Sequence, residues 1–241
     1  MGYKVSPEQE ARILDAMRYA GEMIKHARDE GHEHFSVWSK AGDSNFVTSC
    51  DLAIQDYLLP RLLEIVPGAR IMSEEQENDK EALGEGLCFV VDPLDGTLNF
   101  IHDYRYNGIS VALFDGKEQT FGAVYDVWQD DMYTAHRGRG AYLNGKPIHV
   151  ANNEISKSLV LFGTGNYWKD IVTDATFAIA KELFLLCTDV RRCGAATVDI
   201  CSIASGKADI YVEMGISPWD HAAGSLIIRE AGGVISQFDG S

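Results

Sequence analysis

Apolar positions near the start of the chain recur at helical spacing. Ile13, Met17, Ala20 and Ile24 follow Ser6-Pro7-Glu8-Gln9, where serine suits the N-cap, proline the first helical position and glutamine the third after the cap. The pattern predicts a long amphipathic helix from residue 7 to about 29. A second helix is expected from about Asp51 to Ile65, with Leu52, Tyr57, Leu58, Leu62 and Ile65 apolar and Pro60 kinking or interrupting it. The period then shortens. Ala69 to Met72 reads as a short strand ending at Ser73-Glu74-Glu75, and Leu87 to Val91 as another. Strands at 108–114, 120–127 and 132–135 follow, the first two joined by the hairpin signal Asp115-Gly116. Gly138, Gly140 and Asn144-Gly145 lead to Pro147-Ile148-His149-Val150, so the middle of the chain reads as an antiparallel meander. Asn152-Asn153 begins a polar connector, and a boundary is expected near residue 151. Beyond it strands at 159–162, 190–192 and 210–213 alternate with helices at 170–186, 196–205 and 220–231, the last closed by Gly232-Gly233. An α+β half over 1–150 and a layered α/β half over 151–241 follow from this order.

The strand ending at Val91 runs into Asp92-Pro93-Leu94-Asp95-Gly96-Thr97, and Thr97 suits the N-cap of a helix. Carboxylates gather hard cations, and free N–H groups at a helix start gather phosphate. The same string suits an ordinary surface turn, and the pattern alone leaves both readings open. A helix-loop-helix calcium site does not fit, because Leu94 and Asp103 occupy its third and twelfth positions. A haloacid dehalogenase type of site does not fit either, because its aspartates stand two apart and these stand three apart with Pro93 between. Positions three apart in a strand face opposite sides, so both carboxylates reach one ion only if the chain turns after Asp92. Glu74 also directly follows a strand, and the two acidic strand ends would converge if the strands are neighbours. Asp51 reads equally as a charge favoured by the helix dipole, and Asp220 as an N-terminal cap. His32 and His34 read as a solvated loop, Lys40 to Asn45 as a mobile polar loop, and the acidic stretch from Glu75 to Glu85 as solvated.

Composition narrows the classes. The 241 residues are 46% hydrophobic, enough for a substantial core. No stretch approaches the roughly 18 to 20 apolar residues of a membrane span, and the polar start lacks a signal-peptide core, so a cytoplasmic location is the default expectation. Five cysteines without a C-x-x-C pair read as reduced thiols. A net charge of −15 argues against a nucleic-acid polymer or an anionic membrane as partner. An acidic protein that handles phosphate needs cations.

Taken together, Asp92-Pro93-Leu94-Asp95-Gly96-Thr97-Leu98-Asn99-Phe100 and Trp219-Asp220-His221-Ala222-Ala223-Gly224 resemble the two signatures of the inositol monophosphatase family, within the lithium-sensitive, magnesium-dependent phosphatase superfamily. Met72-Ser73-Glu74-Glu75 resembles the family's Gly-Glu-Glu element with Ser73 in place of glycine, and Thr48-Ser49-Cys50-Asp51 its Thr-x-x-Asp. The four motifs stand in the family's order over nearly the whole chain. The resemblance implies a five-layered αβαβα sandwich, hydrolysis of a small-molecule phosphate ester, two or three magnesium ions per site and a homodimer. It implies Glu74, Asp92, Asp95, Asp220 and the Leu94 carbonyl as metal ligands, with Glu75 and Lys40 behind them. Thr97 with Asp51 would activate water, Gly96 and Thr97 would hold phosphate, and Ala196, Glu213 and Asp220 would contact the substrate. Inositol monophosphate is the expected substrate. NADP(H), 3′-phosphoadenosine 5′-phosphate and fructose 1,6-bisphosphate are the alternatives, and a non-catalytic metal-binding regulatory protein is the rival from another class. Family members usually continue past the glycine pair by another strand and helix, whereas the sequence given stops at Asp239-Gly240-Ser241; either that edge of the second half is lacking or it lies beyond the sequence given.

Overall fold

The computed structural model describes residues 2–31, 35–40, 46–78 and 83–241. The expectations for His32, His34, 41–45 and 79–82 therefore lie outside the described residues. Helix α1 (Pro7–Asp29) opens on the expected reciprocal cap: Ser6 Oγ accepts the Gln9 N–H at 3.1 Å, and Gln9 Oε1 accepts the Ser6 N–H at 3.0 Å. Strands β1 (Val37–Ser39) and β2 (Phe46–Thr48) pair antiparallel and lead into α2 (Ser49–Ile65). This helix is neither broken nor interrupted at Pro60, contrary to the expectation. Pro60 and Asp56, whose carbonyl loses its intrahelical donor, both lie on the exposed side, where the freed oxygen is open to solvent. Leu52, expected among the apolar positions, is exposed on the same helix.

The large sheet follows chain order: β3 (Arg70–Ser73), β4 (Leu87–Asp95), β5 (Gly108–Asp115), β6 (Glu118–Asp126), β7 (Asp131–His136), β8 (Ala141–Leu143) and β9 (Lys146–Ile148). Only the β3–β4 pair is parallel. The short helix α3 (Thr97–Ile101) lies between β4 and β5. The second sheet, in the order β11 (Asp189–Arg191), β10 (Leu159–Phe162), β12 (Ile210–Val212), is parallel throughout. Helix α4 (Lys169–Leu186) covers it on one side, and α5 (Ala196–Ala204) with α6 (Pro218–Glu230) fills the space between the sheets.

Two cores hold these layers together. Ile13, Met17 and Ile24 of α1 and Ile54, Leu58 and Leu62 of α2 are wholly buried on one face of the large sheet against Phe89, Val91 and Tyr125. Ala222, Ala223, Leu226 and Ile227 of α6 bury the other face with Val90, Ala112 and Val124. Each such aliphatic side chain contributes about 1.5 to 3 kcal/mol through burial. The order α1/α2, large sheet, α5/α6, small sheet, α4 is the five-layered αβαβα sandwich. Among the described residues, no helix is long and apolar enough to cross a membrane.

Candidate active site

The acidic strand ends do meet. In the parallel pairing Ser73 stands opposite Val91, so Glu74 leaves β3 level with Asp92 on β4. Beyond Asp92 the chain does not turn away, as the sequence reading required. It stays paired with β5 through a β-bulge: Asp92 opposes Ser110 and Asp95 opposes Gly108, three steps on one strand against two on the other. The extra residue resets the alternation, which brings the two carboxylates to the same side.

Two further acids come from helix starts, and both are held by their caps. At α2 the N-cap is Thr48; Asp51 is the third helical residue, and its Oδ2 accepts the Thr48 N–H at 2.8 Å and the Thr48 hydroxyl. At α6 the N-cap is Ser217 rather than Asp220, and Asp220 Oδ2 accepts the Ser217 N–H at 2.9 Å. In each case capping fixes one carboxylate oxygen and leaves the other for the cleft. Thr97 is not an N-cap either. Gly96 takes that position at φ 85°, where a Cβ would come within 3.0 Å of the Tyr106 carbonyl and 3.2 Å of the Ala195 Cβ. Thr97, the first helical residue, is freed to donate its hydroxyl to Asp51 Oδ1 at 2.9 Å, with the Leu94 carbonyl at 3.3 Å.

Carboxylate oxygens of Glu74, Asp92 and Asp220 lie within 4.8 Å of one another. Asp95 is aimed from the far side, its Oδ2 accepting the Thr197 N–H at 2.7 Å and the Thr197 hydroxyl at 2.6 Å. Asp92 Oδ2 is buried with no hydrogen-bond partner. A buried carboxylate oxygen without a hydrogen-bond partner, clustered with two other carboxylates, fits a hard divalent cation. The electrostatics agree. Burial, then the charges of Glu74, Asp95 and Asp220, pushes Asp92 well above the usual carboxylate range. Burial and then Asp95 and Glu74 do the same to Asp220. Asp95 rises to about 7, chiefly through burial and against the Thr197 hydrogen bonds. Glu75 also rises to about 7, through burial and then the Glu74 charge. Asp51 is raised, mainly by burial. Lys40 supplies the counter-charge, with Nζ 3.0 Å from Glu74 Oε1 and in contact with Glu75 Oε1.

Ser73 replaces a glycine of the resembled motif and is fully buried. Its hydroxyl donates to Gln55 Oε1 at 2.8 Å, while Gln55 Nε2 donates to the Glu75 carbonyl at 3.1 Å, so the substitution ties the Glu74-Glu75 turn to α2.

A cleft open to solvent lies over this centre, taking in about 790 Å³ with its open mouth included. Ala196, at the start of α5, and Glu213, just after β12, line its far wall, as do Asp199, Arg192 and Asn166. Glu213 Oε1 accepts the Gly165 N–H at 3.1 Å, and Oε2 accepts the Tyr211 hydroxyl. Gly163 is required beside it, because a Cβ there would lie 2.0 Å from the Glu213 carboxyl carbon. The sequence reading missed Asp199, Tyr106 and Arg192. Their only local signal was the helix start at Ala196, four residues or fewer from all but Tyr106.

The model of the inositol monophosphatase family matches residues 8–241. An inositol-1-monophosphatase of Bacillus subtilis is 31% identical over 209 residues, covering 87% of this chain and 78% of its own. Nus factor SuhB of Escherichia coli is 35% identical over 203 residues, covering 84% of this chain and 75% of its own. The structure of a Thermotoga maritima IMPase superposes with a TM-score of 0.84 at 27% identity, covering 95% of this chain and 85% of the other. The bulge that gathers Asp92 and Asp95, the two capped acids and the matched sequence over almost the whole length lead to one assignment: the chain belongs to the inositol monophosphatase family.

Proposed function

We propose that the chain is a magnesium-dependent phosphate monoester hydrolase whose substrate is inositol monophosphate. The observation that carries this is the Glu74, Asp92 and Asp220 cluster, with its unpartnered buried Asp92 oxygen, standing beside the Thr97–Asp51 pair. Glu74, Asp92, Asp95, Asp220 and the Leu94 carbonyl would hold two or three magnesium ions. Bound there, magnesium lowers the pKa of a coordinated water, neutralises phosphoryl oxygens and stabilises the leaving alkoxide. Gly96 and Thr97, at the α3 start, present backbone N–H groups to the phosphate.

The Thr97 hydroxyl donates to Asp51, so its oxygen is left to accept a proton from the attacking water. The Thr97 proton passes to Asp51 Oδ1 as water oxygen adds to phosphorus in line and the bond from phosphorus to the alcohol oxygen breaks, the leaving oxygen taking a proton from solvent. Burial raises the proton affinity of Asp51 and suits it to this role. Glu75 and Lys40 stand behind Glu74 and fix its orientation. Glu213, Ala196 and Asp220 bound the alcohol side of the cleft.

The test is phosphate release by purified protein with millimolar magnesium from inositol 1-phosphate, NADP, 3′-phosphoadenosine 5′-phosphate and fructose 1,6-bisphosphate. The greatest turnover is expected on inositol 1-phosphate. Release from none of them would sink the hydrolase reading, and a higher rate on another ester would move the substrate assignment alone. A homodimer, lithium inhibition and a cytoplasmic location are supported by the family resemblance; light scattering, a lithium titration of the rate and cell fractionation test them in turn.

A further inference from the structure

The far wall of the cleft holds a carboxylate that the hydrolytic chemistry does not use. Asp199 lies in the first turn of α5, its N–H bonded to the Ala195 carbonyl at 3.0 Å, and is 1% exposed while lining the cleft. Its Oδ1 accepts the Tyr106 hydroxyl at 2.8 Å. Arg192 lies on the rim of the same wall, its Nη2 3.2 Å from Thr164 Oγ1. Two residues earlier on α5, Thr197 grips Asp95, so Asp199 is held in fixed relation to the proposed metal site.

A carboxylate offers about four lone-pair directions, of which Tyr106 occupies one. The acids lining the cleft are Glu74, Asp95, Asp199, Glu213 and Asp220, and among the described lining residues the cation is Arg192. Asp199 and Glu213 therefore make this wall a set of acceptors. It suits hydroxyl donors and opposes a second phosphate, whose charge would meet two carboxylates away from the metal ions. Resting on the phosphatase reading above, we infer that Asp199, held by Tyr106, is a specificity-determining residue that accepts a hydrogen bond from a hydroxyl of the substrate alcohol. A site built to bond a hydroxyl discriminates strongly, because a ligand without it leaves a buried polar group unpaired.

The experiment compares inositol 1-phosphate with 4-nitrophenyl phosphate, which has no alcohol hydroxyls, on the full chain with magnesium. Asp199→Asn keeps the shape and reverses half of the hydrogen-bonding sense. The ratio of kcat/KM for inositol 1-phosphate to that for 4-nitrophenyl phosphate is expected to fall about tenfold, mostly through KM for the inositol ester. Tyr106→Phe removes the holding hydroxyl and is expected to lower the same ratio about threefold, which keeps the test alive should Asp199→Asn fail to fold. A ratio unchanged in either folded variant, with both esters losing rate together, would make Asp199 a packing residue and overturn the inference alone. An unaltered protein inert to both esters would overturn the phosphatase reading and this inference with it.

Discussion

The two walls of the cleft are built differently. On the wall proposed to hold the metal, backbone N–H groups aim the acids: Thr48 holds Asp51, Ser217 holds Asp220 and Thr197 holds Asp95. On the facing wall, tyrosine hydroxyls do more of the holding: Tyr211 reaches Glu213 and Tyr106 reaches Asp199. Backbone donors are fixed by helix caps and move only with the fold, whereas a hydroxyl can be removed by one substitution. The first wall is thus suited to chemistry that tolerates little displacement, the second to selecting what the phosphate is attached to.

That contrast is broken or sharpened by substitutions on each side. The largest effect is expected from Asp95→Asn, which should lower kcat about a thousandfold while leaving the thermal transition cooperative. Full retained activity would remove Asp95 from the site. Thr97→Ala deletes the hydroxyl between water and Asp51 and should cost about a hundredfold in kcat, read by steady-state kinetics on inositol 1-phosphate. Glu213→Gln, on the other wall, should raise KM about tenfold and affect kcat far less. An equal fall in kcat would mean that the two walls do not divide the work as described.

A smaller effect concerns stability. Asp92, Asp95, Asp220 and Glu75 all bind protons more tightly in the folded, metal-free protein than free carboxylates do. Through Asp95 and Glu75 the folded state carries more protons than the unfolded one from about pH 4 to 7, so their contribution is complete below the unfolded pKa values and is lost as pH rises through the folded ones; Asp92 and Asp220 act in the same direction. Metal-free protein should melt a few degrees lower at about pH 8 than at about pH 5, as far as these groups decide it. Magnesium should raise the melting temperature more at the higher pH, where the ligands are ionised. Equal magnesium shifts at both values, measured by calorimetry, would detach these carboxylates from metal binding.

Much of this was legible in the sequence because acids stand directly after strands and at helix starts, where local pattern is informative. The α1 cap, the meander and the alternating second half follow from spacing alone. The gathering of Asp92 and Asp95 was not legible, because a bulge is defined by register against Ser110 and Gly108 and register is a property of two strands. Thr97 read as a cap because glycine at positive φ can cap a helix without a side chain, and nothing local distinguishes the two. Asp199 escaped because its partner Tyr106 is 93 residues away. Likewise, Pro60 reads as a breaker until one knows that its side of α2 is exposed to water.

The central claim is that Glu74, Asp92, Asp95 and Asp220 form a metal site at which phosphate is also bound. A calorimetric titration of magnesium into the full chain, with and without inorganic phosphate, tests it directly. The expected result is saturable magnesium binding that phosphate tightens several-fold, with magnesium tightening phosphate by the same factor, as linkage requires. Magnesium binding that ignores phosphate, or no binding at all, would contradict it.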